Sequence, residues 1–137
     1  MNVVLCVGAI LGLLSLLSGA YTDHMSISQS STETEIMMTA IRYLQLNSVL
    51  ISAIGLILWC PLSIVVRARL QLSAWLFILG AACFSFSLML SIWLDQVALQ
   101  KITPVGGFLM IAAWISLVWA GLGAPLAEKE EQFKFKA

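Results

Sequence analysis

Apolar residues are grouped into four long runs, and short polar stretches separate them. The runs cover residues 3–21, 44–66, 72–94 and 104–124, and none contains a charged residue. A helix needs roughly 20 mainly apolar residues to cross the hydrocarbon core of a bilayer. The pattern therefore predicts an all-α membrane protein: four transmembrane helices form an antiparallel bundle over residues 1–127, and a charged C-terminal tail follows at 128–137.

The polar stretch before the second run contains a helix start signal. Thr32 and Glu35 form a T-x-x-E capping box, and apolar residues follow at helical spacing. This predicts a short amphipathic helical segment that either lies at the membrane interface or is continuous with helix 2. A continuous helix as far as Val66 would exceed the thickness of the hydrocarbon core, so we expect a kink at Pro61.

Cap residues predict the limits of the fourth helix. Thr103 is expected to cap it, and Pro104 to occupy its first position. Its end is predicted near Pro125, which follows Gly121 and Gly123.

The tail at residues 128–137 is too charged to enter the membrane. Its alternation of Phe and Lys at 133–136 favours a disordered tail anchored at the interface over a strand that adds to a partner.

Composition supports the membrane assignment and excludes one class of partner. The chain has 137 residues, of which 61% are hydrophobic and 10% charged, and its mean hydropathy is +0.99. Seven basic and seven acidic residues leave no net charge, so we predict no nucleic-acid partner. The three cysteines lie within the apolar runs and are interpreted as small packing residues.

The distribution of basic residues predicts the topology. The second loop and the tail carry five of the seven, whereas the first and third loops carry only Arg42 and Lys101. The positive-inside rule then places both termini in the cytoplasm. No Lys or Arg precedes the first run, so we expect neither a cleaved secretory signal nor a mitochondrial leader. The bacterial plasma (inner) membrane is the expected location, with the mitochondrial inner membrane as the alternative.

Small residues mark the faces where helices can approach closely in lipid. The first run carries them at steps of four, three and four, and the third and fourth runs carry further glycines. These helix-packing or partner-interface candidates are Gly8, Gly12, Ser15, Gly19, Gly80, Gly106 and Gly107. Two interpretations stay open: the faces close the bundle, or they dock another protein.

The apolar runs lack the groups that membrane transport and catalysis use. They contain no Asp, Glu, His, Lys or Arg, which argues against a proton or ion relay. No nucleophile elbow, phosphate-binding Gly loop or metal-spaced Cys pair occurs either. We therefore predict a protein that is not an enzyme and has no cofactor.

Charged and polar side chains are concentrated in the outer loops. We expect them to lie close together on the outer surface. A metal site is disfavoured because only one His is present, and ion pairs and helix caps that join the first and third loops are the favoured interpretation. The members of this outer-loop polar cluster are Asp23, His24, Arg42, Asn47, Asp95 and Lys101.

Trp114 stands apart from the other tryptophans because it lies about 15 Å along the helix from Pro104, near mid-membrane. Its indole N–H is expected to bond to a Ser or a free carbonyl in the bundle. A lipid or apolar ligand such as a quinone is the alternative contact.

Several segments together resemble a known family of small four-span membrane proteins of unknown function, which includes the bacterial YgdD and the eukaryotic transmembrane protein 256. The resemblance implies an inner-membrane location and a four-helix fold, without an activity. Two positions depart from the family pattern: Asn47, where His is usual, and Phe86, where Gly is usual. The segments that carry the resemblance are G-A-Y at 19–21 with His24, R-Y at 42–43 with Gln45 and Asn47, A-W-L-F at 74–77 with Gly80, F-S-F-S-L at 84–88, and I-T-P-V-G-G at 102–107 with Trp114.

These observations favour a non-catalytic accessory or structural subunit that packs against a larger membrane complex, such as a respiratory or other energy-converting one. The expected partners are the lipid bilayer and other integral membrane subunits. The alternative is a carrier or binder of a lipid or small apolar solute.

Overall fold

The computed structural model describes residues 2–25 and 31–136, with side chains described for 2–24 and 32–122. The described residues contain helices and no strand, which confirms the all-α prediction. Four segments are long and apolar enough to span a membrane, with α3, the π turn and α4 together forming the third. The elements are α1 (Val3–Met25), α2 (Ser31–Ile57), α3 (Ile64–Ala81), a π-helical turn (Ala82–Phe86), α4 (Ser87–Trp93), a 3₁₀ turn (Val97–Ile102) and α5 (Thr103–Lys136).

The first helix begins at a side-chain cap that also reaches a neighbouring helix. Asn2 Oδ1 accepts a hydrogen bond from the Leu5 N–H at 3.1 Å, which satisfies one of the free donors at the start of α1. The same side chain donates from Nδ2 to the Gly55 carbonyl at 2.5 Å. The cap therefore ties the beginning of α1 to the end of α2.

The second helix settles where the amphipathic segment lies, and it ends earlier than expected. It is continuous from Ser31, so the amphipathic segment is part of helix 2 rather than a separate interfacial piece. It ends at Ile57, however, and the expectation of a helix to Val66 kinked at Pro61 was wrong. Pro61 has no N–H and disfavours helical backbone at the residue before it, so the chain turns at Leu58–Cys60 instead. Pro61 lies in the connection to α3.

The third span contains a π turn that the sequence pattern did not predict. Residues Ala82–Phe86 form it between α3 and α4. A π turn accommodates one extra residue in a helix and changes the direction of the side chains that follow.

The fourth span begins one residue earlier and ends later than predicted. Thr103, expected as the cap, has helical backbone and is the first residue of α5, and Pro104 is the second. An end near Pro125 was expected, but the helix continues through this residue to Lys136. A proline removes a single N–H, and membrane helices tolerate that loss. The backbone at 128–136 is thus helical rather than disordered or a strand. The side chains after Leu122, and with them the role of the tail, lie outside the described residues.

Two helix pairs make up the bundle. α1 packs mainly on α2, and α5 packs mainly on α3 and the π turn, while α2 and α3 join the two pairs. In an apolar stretch of 18 residues from each span, buried residues form 44% in α2 and 39% in the third span, against 22% in the first and 28% in the fourth. α2 and the third span therefore form the centre, and α1 and α5 the flanks. The core side chains include Phe77, Met37, Leu44, Ile51 and Met89.

Candidate functional site

The backbones of α1 and α2 are in direct contact. A Cβ at Gly8 would lie 2.7 Å from the Ser52 nitrogen, and one at Gly55 would lie 2.7 Å from the Leu5 nitrogen. Real Cβ atoms do not approach backbone so closely, so this contact requires glycine at both positions.

The rest of the small-residue face of α1 also lies toward α2. A Cβ at Gly12 would lie 3.4 Å from Ser48 Oγ, and one at Gly19 would lie 3.9 Å from Ile41 Cγ2. Ser15 is buried, and its Oγ donates to the Gly12 carbonyl at 2.7 Å. As residue numbers rise along α1, those of the α2 residues in contact fall. The two helices are therefore antiparallel, and this face is occupied within the chain.

The second pair of helices meets at Gly80 and Gly106. A Cβ at Gly106 would lie 2.8 Å from Phe84 Cα in the π turn, and one at Gly80 would lie 3.1 Å from the Met110 nitrogen. Gly107 was grouped with these residues but does not lie at the contact between α5 and the third span. A Cβ there would meet no heavy atom of the described chain within 4 Å, because one residue rotates a helix by about 100°.

Hydroxyl pairs join the third span to α5. Ser73 Oγ donates to Ser116 Oγ at 2.9 Å, and the hydroxyls of Ser87 and Thr103 lie 2.8 Å apart. Such bonds are a common link between helices where water is absent.

Arg69 adds a third link between these helices. Its Nη1 donates to the Trp119 carbonyl at 3.1 Å, and its guanidinium lies 4.2 Å from the centre of the Trp119 ring. The Arg69 side chain is therefore engaged by α5 through a hydrogen bond and a cation–π contact.

Ser85 in the π turn is the exception among the buried hydroxyls. It is fully buried, and its Oγ has no hydrogen-bond partner among the described residues. An unpaired buried hydroxyl carries a desolvation penalty.

All buried polar side chains in the described part of the chain are neutral. The ionisable residues described are exposed or half-buried, and none of them forms a cluster of three that would suit a metal ion. The buried polar residues are Ser15, Thr22, Asn47, Ser48, Ser73, Ser85, Ser87, Ser91 and Ser116.

The outer-loop polar cluster separates into two parts in the structure. Asn47 is buried, and its Nδ2 donates to the Tyr43 carbonyl at 2.8 Å and contacts Met110 Sδ at 3.2 Å. It therefore belongs to the bundle interior, because it lies more than three turns into α2. The other five members are exposed: Asp23, His24, Arg42, Asp95 and Lys101.

The bonds that shape the third loop come from residues outside that cluster. Gln100 Nε2 donates to Ser91 Oγ at 3.3 Å, and the Gln96 N–H donates to the Ser91 carbonyl at 2.9 Å. Asp95 contributes through its backbone, which adopts a left-handed conformation with φ of 50°. Short-range amide and backbone bonds thus organise this loop.

Trp114 lies on the outer side of α5. Its side chain is 46% exposed, and its ring meets Phe77 edge-on, with centroids 5.5 Å apart and planes at 90°. The indole is therefore at the bundle surface, and a bond from its N–H to a Ser or a free carbonyl stays a prediction.

Two grooves were not predicted from the sequence. One, of about 670 Å³, lies between α1 and α4, where Tyr21 and Trp93 meet edge-on at 6.4 Å. The other, of about 470 Å³, lies at the end of the bundle where α1 begins. The first is lined by Leu14, Leu17, Ser18, Tyr21, Ile92 and Trp93. A signal for the second was present in the sequence, since Arg67, Gln71 and Trp75 follow at steps of four.

Comparison with known proteins decides the family. The family model described as protein of unknown function (DUF423) matches residues 18–107, more than half of the chain. The chain belongs to the DUF423 family. It is also similar to the UPF0382 membrane protein SH2409 of Staphylococcus haemolyticus, with 28% identity over 119 residues that cover 86% of this chain and 93% of the relative. No solved structure matches.

These findings confirm the resemblance to a membrane protein family of unknown function, and this DUF423 chain is a multi-pass membrane protein. The matched region begins late in α1 and ends early in α5. It includes Gly19, Gly80 and Gly106, whereas Gly8, Gly12 and Trp114 lie outside it.

Proposed function

We propose that this chain is a non-catalytic subunit that packs against a larger integral membrane complex. One observation carries the proposal: Gly107, Trp114 and Gly121 follow at steps of seven on α5 and share one outward side of the helix. A Cβ at Gly107 or Gly121 would meet no described atom within 4 Å. Small residues at the surface of a membrane helix let a second helix approach closely, and Trp114 between them supplies a large contact.

The neutral interior of the described chain supports the non-catalytic part of the proposal. Proton relays and ion pathways use ionisable side chains inside the membrane, and acid–base or nucleophilic catalysis needs a group with an activating neighbour. The described buried polar residues are hydroxyls and one amide. Ser73, Ser87 and Ser116 form hydrogen bonds between helices, whereas Ser15, Thr22, Ser48 and Ser91 bond to carbonyls of their own helix.

Co-purification in mild detergent tests the subunit proposal. We expect native mass spectrometry to show a stoichiometric larger membrane partner. Gly107→Leu combined with Gly121→Leu should reduce the recovered partner about tenfold, because two Leu side chains would separate the helices. Ala112→Leu is the matched control, since Ala112 is also exposed on α5 but on a different side. Recovery of the wild-type protein as a lone monomer would contradict the proposal.

We propose that the protein lies in the bacterial inner membrane and that both of its termini are in the cytoplasm. Arg67 and Arg69 follow the loop at the end of the bundle where α1 begins, whereas Arg42 and Lys101 lie toward the other end. The positive-inside rule supports this orientation. A fluorescent reporter that folds only in the cytoplasm, fused after Ala137, should fluoresce. A fused phosphatase active only outside would overturn the orientation.

A second candidate function is binding of a lipid or small apolar solute in the groove between α1 and α4. Its volume, about 670 Å³, is within the range of small-molecule sites, roughly 300–1,000 Å³. Ser18→Trp should fill this groove and reduce retention of a co-purified lipid or quinone. Equal retention by Ser18→Trp and by Ala112→Trp, which changes a distant exposed surface, would exclude this site.

A further inference from the structure

A pocket of about 470 Å³ lies where the start of α1, the end of α2 and the first turns of α3 meet. Arg67 and Gln71 are one helical turn apart on α3 and line it together. Trp75 lies one turn further along the same side of the helix. The described residues that line the pocket are Asn2, Val3, Val4, Leu58, Trp59, Arg67, Gln71 and Trp75.

Arg67 supplies the charge in this pocket. Among the described residues of the lining it is the one that is ionisable, and it is half-buried. Its Nη2 donates to the Cys60 carbonyl at 3.3 Å, which holds the guanidinium beside the α2–α3 connection. A guanidinium has five N–H donors in a planar fork that matches two oxygens of a phosphate group, so this one bond leaves most of them for a ligand.

The neighbouring Arg69 does not share this role. Its guanidinium is bound to the Trp119 carbonyl and lies over the Trp119 ring. The two arginines, two residues apart on α3, are therefore directed to different places. Arg69 holds α5, and Arg67 faces the pocket.

The tryptophans in the pocket wall are typical of the headgroup region of a bilayer. Trp59 and Trp75 border the pocket with 69% and 47% of their side chains exposed, as expected for tryptophans at the membrane–water boundary. The charge-free apolar runs begin in or next to it, at Val3 and Leu72. Val3, in the lining, and Leu72, next to Gln71 in the sequence, are exposed and would contact acyl chains.

We propose that this pocket binds the phosphate group of an anionic phospholipid, with Arg67 as the main contact and Gln71 as a second donor. Basic pockets between transmembrane helices commonly bind such headgroups. The proposal goes beyond the subunit role and does not rest on it, because the pocket lies on α1, α2 and α3, away from the outward side of α5.

Lipid retention by the full chain tests the proposal. The protein is purified in mild detergent, supplied with phosphatidylglycerol or phosphatidylcholine, and examined by native mass spectrometry and thermal unfolding. We expect wild type to retain phosphatidylglycerol about fivefold better than phosphatidylcholine, the factor associated with one basic side chain near an anionic surface. Arg67→Gln should abolish this preference. Lys101→Gln, which removes a charge at the other end of the bundle, should keep it.

Gln71→Glu provides a second test that does not remove Arg67. Gln71 is exposed, so the variant is expected to fold, and its carboxylate would pair with Arg67 and repel phosphate. It should lose the preference for phosphatidylglycerol even if Arg67→Gln proves unstable. Retention of the preference by Gln71→Glu would overturn the proposal, as would its absence from wild type.

A further unfolding experiment distinguishes binding of a lipid headgroup from binding of free phosphate. In lipid-free detergent, inorganic phosphate should raise the unfolding temperature no more than sodium chloride at equal ionic strength, because the acyl chains contribute to lipid binding. A specific stabilisation by inorganic phosphate, together with displacement of phosphatidylglycerol, would assign the pocket to a free oxyanion and overturn the lipid proposal.

Discussion

Gly106 of α5 lies against the backbone of Phe84 in the π turn, where a Cβ would come within 2.8 Å of Phe84 Cα. Backbone atoms cannot move away as a flexible side chain can. Gly106→Ala should therefore separate α5 from the third span and destabilise the protein by about 1–3 kcal/mol. A lower unfolding temperature in detergent would show this.

The neighbouring glycine supplies the control for that prediction. Gly107→Ala introduces the same methyl group where no described atom lies within 4 Å. It should leave the unfolding temperature unchanged or raise it slightly, because Ala has the higher helix propensity. Equal destabilisation by both variants would show that the Gly106–Phe84 contact is not what limits the substitution.

Removing the unpaired hydroxyl of Ser85 should stabilise the bundle. Its Oγ is buried and has no hydrogen-bond partner among the described residues, so Ser85→Ala relieves a desolvation penalty of about 1 kcal/mol. We expect a higher unfolding temperature. Ser87→Ala is the matched control and should lower it, since that hydroxyl lies 2.8 Å from Thr103 Oγ1. A Ser85→Ala protein less stable than wild type would indicate a partner for this hydroxyl.

The Ser73–Ser116 hydrogen bond links α3 to α5 and is suited to a double-mutant cycle. Each single Ser→Ala change removes the same 2.9 Å contact, so the double variant should cost less than the sum of the two. We expect a coupling energy of about 0.6 kcal/mol, typical of hydrogen bonds between membrane helices. Reversible unfolding in mixed micelles provides the measurement. Strict additivity of the two single changes would contradict the predicted coupling.

The two bonds of Asn2 can be separated by substitution. Asn2→Ala loses both the cap on the Leu5 N–H and the bond to the Gly55 carbonyl, and should cost about 1 kcal/mol or more. Asn2→Asp keeps an acceptor for the cap but has no N–H for Gly55. We expect it to lie between wild type and Asn2→Ala in unfolding temperature. If the Asp and Ala variants are equally unstable, the link to α2 outweighs the cap.

Several features followed from the amino-acid pattern because their physical causes are local. Four charge-free apolar runs predict four spans wherever the chain is placed in a bilayer, and the structure contains them. The start of α5 next to Pro104 was predictable to within one residue because proline fits the first turn of a helix. Steps of four, three and four also identified the small-residue face of α1.

The tertiary structure decided which surfaces meet, since this depends on residues far apart in the sequence. The pattern could not tell that Gly106 contacts Phe84 while Gly107 faces outward, or that Asn47 belongs to the interior and not to the outer loops. It also could not place Arg67 in a pocket and Arg69 against α5, because both are basic residues in one stretch of chain. Local periodicity thus determined the spans, and the packing of one helix pair on the other determined the seams, the outward side of α5 and the Arg67 pocket.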